Sequence, residues 1–303
     1  DMVNLTFLND ASGFWNLKTR YQAKMIHTYS GLFVVVVNPY KRYPLYTHRV
    51  CKIYLGKRRN EAPPHLWAIA EGAYRNMLQN KKDNAMLITG ESGAGKTENT
   101  KKVITYLAMV ATGSGGKKVE KKVSLEDQIV ATNPILESYG NAKTARNDNS
   151  SRFGKFIRIH FTASGKLAGC DIVSYLLEKS RITEQQEVER SYHIFYQLLQ
   201  PYGDGIGSGL KNMCHLSSDI YDYIYVSQGK TSVASIDDNE ELEYTEDAFN
   251  VLGFNDDEKY GCYMLTAGVM SCGGVEFKTK GRDDQAECED VGAESFAGKV
   301  AGD

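Results

Sequence analysis

Apolar positions along the chain recur with two different periods, and those periods predict its elements. The β-branched run at residues 31–37 stops at Asn38 and Pro39, which predicts a fully buried strand closed by a turn. A helix is predicted over about 65–78, opening after Pro63 and Pro64. Residues 85–89 predict a second buried strand. It leads into a glycine-rich loop and a helix from Lys96 to about Met109, with Val103, Ile104, Leu107 and Val110 on one face. Strand, glycine loop and helix in that order open an α/β unit with a parallel sheet.

Further along, the Gly/Ser/Lys tract at 112–123 has no apolar period and reads as a flexible surface loop. Ser124 with Asp127 resembles a capping box at the start of the next helix. Residues 156–161 and 167–175 alternate as two strands joined at 163–166, a hairpin. Residues 183–200 predict one amphipathic helix, with Val188, Tyr192, Phe195 and Leu199 on its stripe. The same stripe makes His193 a core-facing packing residue, and Trp15 and Trp67 read as packing residues too. Past Pro201 a loop at 203–207 precedes helices near 237–252 and 256–270. Beyond Phe277 the text turns polar and acidic, and poor order is expected.

Composition narrows the class. The chain has 303 residues, 42% hydrophobic and 24% charged, enough for one large domain or two. A net charge of −2 gives no electrostatic reason to expect nucleic acid. The longest apolar run, 32–37, is too short to span a bilayer, so no membrane is expected either. The six cysteines form no close C-x-x-C pair, which suits reduced thiols in a cytoplasmic protein. An initial Asp1 and an unremarkable end at Asp303 suggest an internal piece of a longer chain.

The strongest chemical signal is the run Gly90, Glu91, Ser92, Gly93, Ala94, Gly95, Lys96 and Thr97, which matches G-x-x-x-x-G-K-[ST]. Glycines let backbone N–H groups converge on phosphate oxygens, and the following helix points its positive end at the same anion. Lys96 supplies a point charge to the outer phosphates and the Thr97 hydroxyl suits Mg²⁺. That loop alone fits kinases, GTPases and many ATPases. About fifty residues later comes Asn147, Asp148, Asn149, Ser150, Ser151, Arg152, Phe153, Gly154 and Lys155. Its hydroxyls, amides and guanidinium could serve a metal ligand, a water and a γ-phosphate. By composition it also fits an exposed polar loop.

Together with Glu98 and Asn99, the two runs resemble the phosphate loop and switch I of myosins. Asn38, Pro39, Tyr40, Lys41 and Arg42 resemble that family's purine-binding loop. The segments 125–128, 137–143, 175–181 and 189–195 fit as well, and the likeness, of muscle type, runs from about Asn4 to Gly253. Kinesins share the phosphate loop and the Asn and Ser-Ser-Arg residues, but neither Phe153-Gly154-Lys155 nor the loop at 38–42 is expected of them.

The resemblance implies an α/β fold, a P-loop NTPase core with a mixed, mainly parallel sheet, followed by a mainly helical upper region. Residues 1–123 would hold the purine loop, phosphate loop and surface loop, and 124–303 switch I and the upper helices, truncated before switch II. It implies Mg²⁺ and ATP, with hydrolysis coupled to movement along actin filaments. Asn38, Pro39, Lys41, Tyr46 and Glu98 would approach the adenine. Asn147 would contact the α/β-phosphate region, with Asn149 in the same site. Lys96, Ser150, Ser151 and Arg152 would be catalytic: Lys96 at the γ-phosphate, Ser150 holding the attacking water, Arg152 bridging to a switch II glutamate. Thr97 and Ser151 would ligate the metal. Partners would be actin filaments, a second heavy chain and light chains, in a cytoplasmic thick filament.

No D-x-x-G-F-E switch II segment follows switch I; residues 10–14 and 204–207 resemble it only superficially. Arg152 is therefore expected to stand unpaired, and the piece alone to turn over little ATP. An alternative is a short product that holds nucleotide or a partner without turnover. The lysines 117, 118, 121 and 122 tune product release or are simply solvated. Residues 270–274 depart from the muscle pattern, 281–287 return to it, and 288–298 follow it loosely.

Overall fold

The computed structural model describes residues 1–111, 125–200, 210, 213–217, 219–275, 277–279 and 286–288. The expectations for 112–123 with its lysines, for Ser124, and for 203–207 lie outside the described residues. Contacts divide the chain into two compact units, 1–126 with 157–171, and 127–156 with 172–303.

In the first unit, α1 (Asp10–Gln22) starts where the Asn9 side chain accepts from Ser12 N at 2.9 Å. Trp15 on this helix is 68% exposed, so it is not the packing residue expected. Strands β1 (His27–Ser30) and β2 (Phe33–Val36) pair antiparallel around Gly31. The predicted buried strand at 31–37 is thus shorter, and its leading residues Leu32 and Phe33 are exposed. The buried partner is β1, whose sequence His-Thr-Tyr-Ser carries no apolar signal.

Helix α2 (His48–Tyr54) is capped by Thr47, and α3 (Leu66–Asn80) by the His65 ring, which accepts from Trp67 N at 3.0 Å. Helix α4 (Lys96–Ala111) packs on α3 through Trp67, Ala70, Val103, Tyr106 and Leu107. The Trp67 indole is fully buried, and its N–H donates to the Lys102 carbonyl at 2.8 Å. Glu71 is buried in the same core with both oxygens satisfied, by Gly56 N at 2.8 Å and the Tyr106 hydroxyl at 2.9 Å. A buried carboxylate is tolerable only with such partners.

Residues 85–89 are not a strand here, and Leu87 is 88% exposed. No described strand offers them a ladder, and extended backbone needs one to count as sheet. The described strands pair two by two, with β1–β2 antiparallel, rather than in one mainly parallel sheet. Strands β5 (Gly154–Phe161) and β6 (Leu167–Tyr175) form the predicted hairpin, of which residues 157–171 belong to the first unit. Its turn needs glycine at 165, where φ is +84° and a Cβ would stand 2.6 Å from the Tyr74 hydroxyl. That hydroxyl donates to the Gly165 carbonyl at 2.8 Å, tying the turn to α3.

The second unit opens with α5 (Leu125–Gly140), then the antiparallel pair β3 (Asn141–Thr144) and β4 (Asn147–Ser151). Of the predicted helix at 183–200 only α7 (His193–Leu198) forms, and a short turn, α6 (Ser180–Thr183), ends at its predicted start. Between them the backbone is diverted by tertiary bonds: Arg190 N donates to Lys143 O at 3.1 Å, and Lys230 N to Glu189 O at 2.8 Å. Val188 is consequently exposed rather than on a core stripe. Helices α8 (Asp238–Leu252) and α9 (Asp256–Ser271) match prediction, the first stopped by Gly253 at φ +83°, the second started by an Asn255–Glu258 capping box. The core gathers Ile194, Phe195, Tyr196 and Leu198 of α7 with Leu242, Phe249, Tyr263 and Met270. Past 275, β7 (Phe277–Thr279) and β8 (Ala286–Cys288) pair antiparallel, so the expectation of poor order fails at those residues. No helix among the described residues is long and apolar enough to cross a membrane.

Arg190 has no exposed surface, donates to both Asp238 oxygens at 2.8 Å and stacks 3.8 Å over Tyr196. Asp238→Ala leaves that charge buried and unpaired, so urea unfolding should show a loss of about 3–5 kcal/mol. A second test is acid. Burial lowers His27 to about 3 and His65 to about 4 from 6.5, so the unfolded chain binds protons first. Their contribution is complete above about pH 6.5 and is lost as pH falls toward 4, at up to about 1.4 kcal/mol per pH unit for each histidine. Urea midpoints at pH 7.5, 6 and 5 should fall in that order, before most carboxylates titrate.

Candidate functional site

The phosphate-loop residues lie in the first unit and the switch I residues in the second, and each set has its own geometry. In the first, residues 90–95 form a turn that ends at the first residue of α4. Gly93 and Gly95 take φ of +79° and +94°, a backbone that a side chain would strain. Ala94 N donates to Glu91 O at 3.2 Å and closes the turn. The Lys96 ammonium folds over it, donating to Gly90 O at 2.8 Å and Glu91 O at 2.9 Å. A cation is therefore held at the mouth of the loop and at a helix N-terminus, the arrangement that attracts an anion. Thr97 follows on the first turn of α4, and Glu98 pairs with Lys101 at 3.1 Å.

Asn38 joins this loop from the end of β2, its amide donating to Gly93 O at 2.7 Å. Tyr40, at φ +49°, places its hydroxyl 3.3 Å from the same carbonyl. The structure thus brings Asn38 to the phosphate loop, while Pro39 and Lys41 lie on the connecting segment. Tyr46 closes that segment half-buried against the α3–α4 core.

The second motif is a strand, β4, rather than the loop its polarity suggests. It is recruited by β3, with Asn141 opposite Ser151 and Ala142 opposite Ser150. Asn149 is fixed at both ends of its amide. Its Nδ2 donates to Glu137 Oε2 at 3.2 Å, and its Oδ1 accepts from Asn141 Nδ2 at 2.7 Å and from His193 Nε2 at 3.2 Å. Since Oδ1 can only accept, the His193 proton sits on Nε2. Burial, with Arg190 nearby, lowers His193 to about 3 and keeps it neutral. Asn147 folds back on the backbone of Asn149, its Oδ1 accepting at 3.2 Å and its Nδ2 donating at 3.1 Å. Asp148 takes Lys143 at 2.7 Å and the Ser235 hydroxyl at 2.6 Å, and these bonds hold its carboxyl below the usual range. Ser150 is buried and Ser151 exposed on the alternate side, as strand periodicity requires.

Arg152 corrects an expectation. It has a carboxylate within this segment: Nε lies 2.6 Å from Glu178 Oε2, and Nη1 3.5 Å from Ser150 Oγ. Arg181 shares Glu178 at 2.8 Å and reaches Glu189 at 2.9 Å, forming a four-residue ion network. The bond from Arg152 is the main reason the Glu178 carboxyl titrates below its ordinary value.

Residues 1–302 match the family model described as "Myosin head (motor domain)". The chain belongs to the myosin head family. It is 56% identical over 292 residues to Myosin-3 of Caenorhabditis briggsae and to Myosin-3 of Caenorhabditis elegans. It is also 56% identical over 289 residues to Myosin-1 of Caenorhabditis elegans. Each alignment covers 95% of this chain and 15% of the relative, so the chain spans a small part of those proteins' length.

Within this myosin head segment, the sequence reading missed the groups that hold the motif residues. Glu137, Asn141 and Lys143 sit in a quoted motif, yet nothing local shows that they grip β4. His193 is core-facing as read, and it is also a hydrogen-bond donor to Asn149. Glu178 could have been suspected as a lone carboxylate next to Arg181, but its bond to Arg152 spans 26 residues. Replacing it tests the network. Glu178→Ala should lower the urea unfolding free energy by about 1.5–3 kcal/mol, the worth of charged hydrogen bonds discounted for partial exposure.

Proposed function

We propose that this chain is the nucleotide-holding part of an actin-based motor that hydrolyses Mg-ATP. The observation that carries this is the glycine turn at 90–95, capped by the Lys96 ammonium and opening onto α4, in a chain of the myosin head family. On this reading the backbone N–H groups of the turn and Lys96 bind the phosphates, Lys96 exchanging neutral carbonyls for charged oxygens. Thr97 and Ser151 offer hydroxyl oxygens, the hard donors that Mg²⁺ prefers alongside phosphate. When bound, the ion neutralises charge building on the transferred phosphoryl group. Ser150, buried behind the strand surface and within reach of Arg152, holds the attacking water. Asn147 and Asn149 line the phosphate side. Asn38, Pro39, Lys41, Tyr46 and Glu98 approach the adenine.

The same reading includes a mixed, mainly parallel core sheet. Residues 85–89 would join it, which fits an apolar segment left without a ladder partner among the described strands and with Leu87 exposed. Organisation into a core at 1–123 and an upper region at 124–303 belongs to the reading, as do actin filaments, a second heavy chain, light chains and a cytoplasmic thick filament. A kinesin-type motor is not favoured, given the family match.

The test is Mg-ATP binding to the chain, followed with a fluorescent analogue, beside Lys96→Ala. Removing the ammonium should weaken binding by at least about tenfold, or about 1.4 kcal/mol. Equal affinity of the two proteins would refute the assignment of the phosphate seat.

A further inference from the structure

The segment from Asn38 to Tyr46 is anchored at both ends, and only one anchor is explained by the phosphate loop. At the first end Asn38 donates to Gly93 O. At the second, two residues in succession are gripped by two buried histidines. The Leu45 carbonyl lies 3.1 Å from His65 Nε2, and the Tyr46 hydroxyl 2.8 Å from His27 Nε2.

The protonation of His65 follows from its surroundings. Its Nδ1 accepts from Trp67 N at 3.0 Å as the cap of α3, so the proton sits on Nε2 and is donated to Leu45. Both imidazoles are buried and neutral. Around them stand rings that leave the Tyr46 ring little freedom. His65 is 5.1 Å away, Trp67 meets it edge-on at 5.4 Å, and His27 edge-on at 5.9 Å. The Lys102 ammonium lies 5.7 Å from its centroid. Tyr54 stacks on His65 at 4.7 Å, which adds to the packing that holds the histidine. Tyr46 itself remains half-buried.

We infer that His27 is a positioning residue: through its bond to the Tyr46 hydroxyl, and with His65 holding Leu45, it orients the Tyr46 ring for a nucleotide base. The inference rests on the reading of Tyr46 as a base contact. A tyrosine ring fixed at its hydroxyl and walled by three rings presents one surface to a planar base, and little side-chain freedom remains to be lost when the base docks. Without the bond the hydroxyl is buried and unpartnered on that side, and the ring plane is set by packing alone. His27 and His65 therefore act on base recognition and leave phosphate binding alone.

Inorganic pyrophosphate and ATP, each with Mg²⁺, separate these roles when titrated into the chain by calorimetry. Pyrophosphate reports the phosphate seat and a folded unit, and ATP adds the base. His27→Phe keeps the ring and removes the bond. It should weaken ATP about five- to tenfold and leave pyrophosphate unchanged, the loss expected for one hydrogen bond and the fixed ring it holds. His27→Gln, which restores a hydrogen-bonding group, should recover most of the loss. Tyr46→Phe combined with His27→Phe should cost no more than either alone. Equal weakening of both ligands, or no weakening of ATP, overturns the inference while the phosphate seat stands. Failure of the unmodified chain to bind either ligand overturns the nucleotide reading itself, and this inference with it.

Discussion

The first unit depends on one buried indole. Trp67 sits at the start of α3 with no exposed surface, and its N–H must find a partner inside the core. It finds the Lys102 carbonyl on α4, and that bond fixes how the two helices lie against each other. Because α4 begins at Lys96, the same bond sets where the phosphate loop ends. Because Trp67 N also caps onto His65, it sets the tautomer of the ring that holds Leu45. Three parts of the proposed site thus depend on one residue, through its indole N–H toward α4 and its backbone N–H toward His65.

The second unit solves a related problem with charges. Polar residues crowd β4, and a strand of Asn, Asp and Ser has low intrinsic preference for its conformation. It is extended because β3 pairs with it and because two of its side chains, and the arginine that follows, are held by groups from elsewhere: Asn149 by Asn141, Glu137 and His193, Asp148 by Lys143 and Ser235, Arg152 by Glu178. Such a network is rigid only when complete, since a lost partner leaves a polar group facing a poorly solvated neighbour. The buried Arg190–Asp238 pair, with Arg190 near the His193 that bonds the strand, extends the same logic into the helical core.

The two devices have different physical characters. Packing of α3 on α4 is apolar and tight, suited to a seat that must not change shape. In the ion network of Arg152, Glu178, Arg181 and Glu189, the two central members, Glu178 and Arg181, each hold two partners of opposite charge. On the proposed reading Arg152 would pair with a further carboxylate; the carboxylate it meets in this structure is Glu178.

Much was determined by the sequence alone. The helices α3, α4, α8 and α9 and the β5–β6 hairpin follow from periodicity and caps, because their signals are local. The phosphate turn follows from glycines whose backbone freedom is written in their identity, as Gly93 and Gly95 show. Only tertiary structure decided the rest. His27 to Tyr29 are buried despite their polarity, His27 against Tyr46 and His65, and residues 184–192 leave helix because Arg190 and Glu189 bond across the chain. Residues 85–89 read as a strand by composition, yet a strand exists only where another backbone completes its hydrogen bonds. The same holds for the groups that grip Asn149, Arg152 and Tyr46. Their partners lie between 8 and 44 residues away along the chain, where no periodicity reaches and only the folded backbone sets the distance.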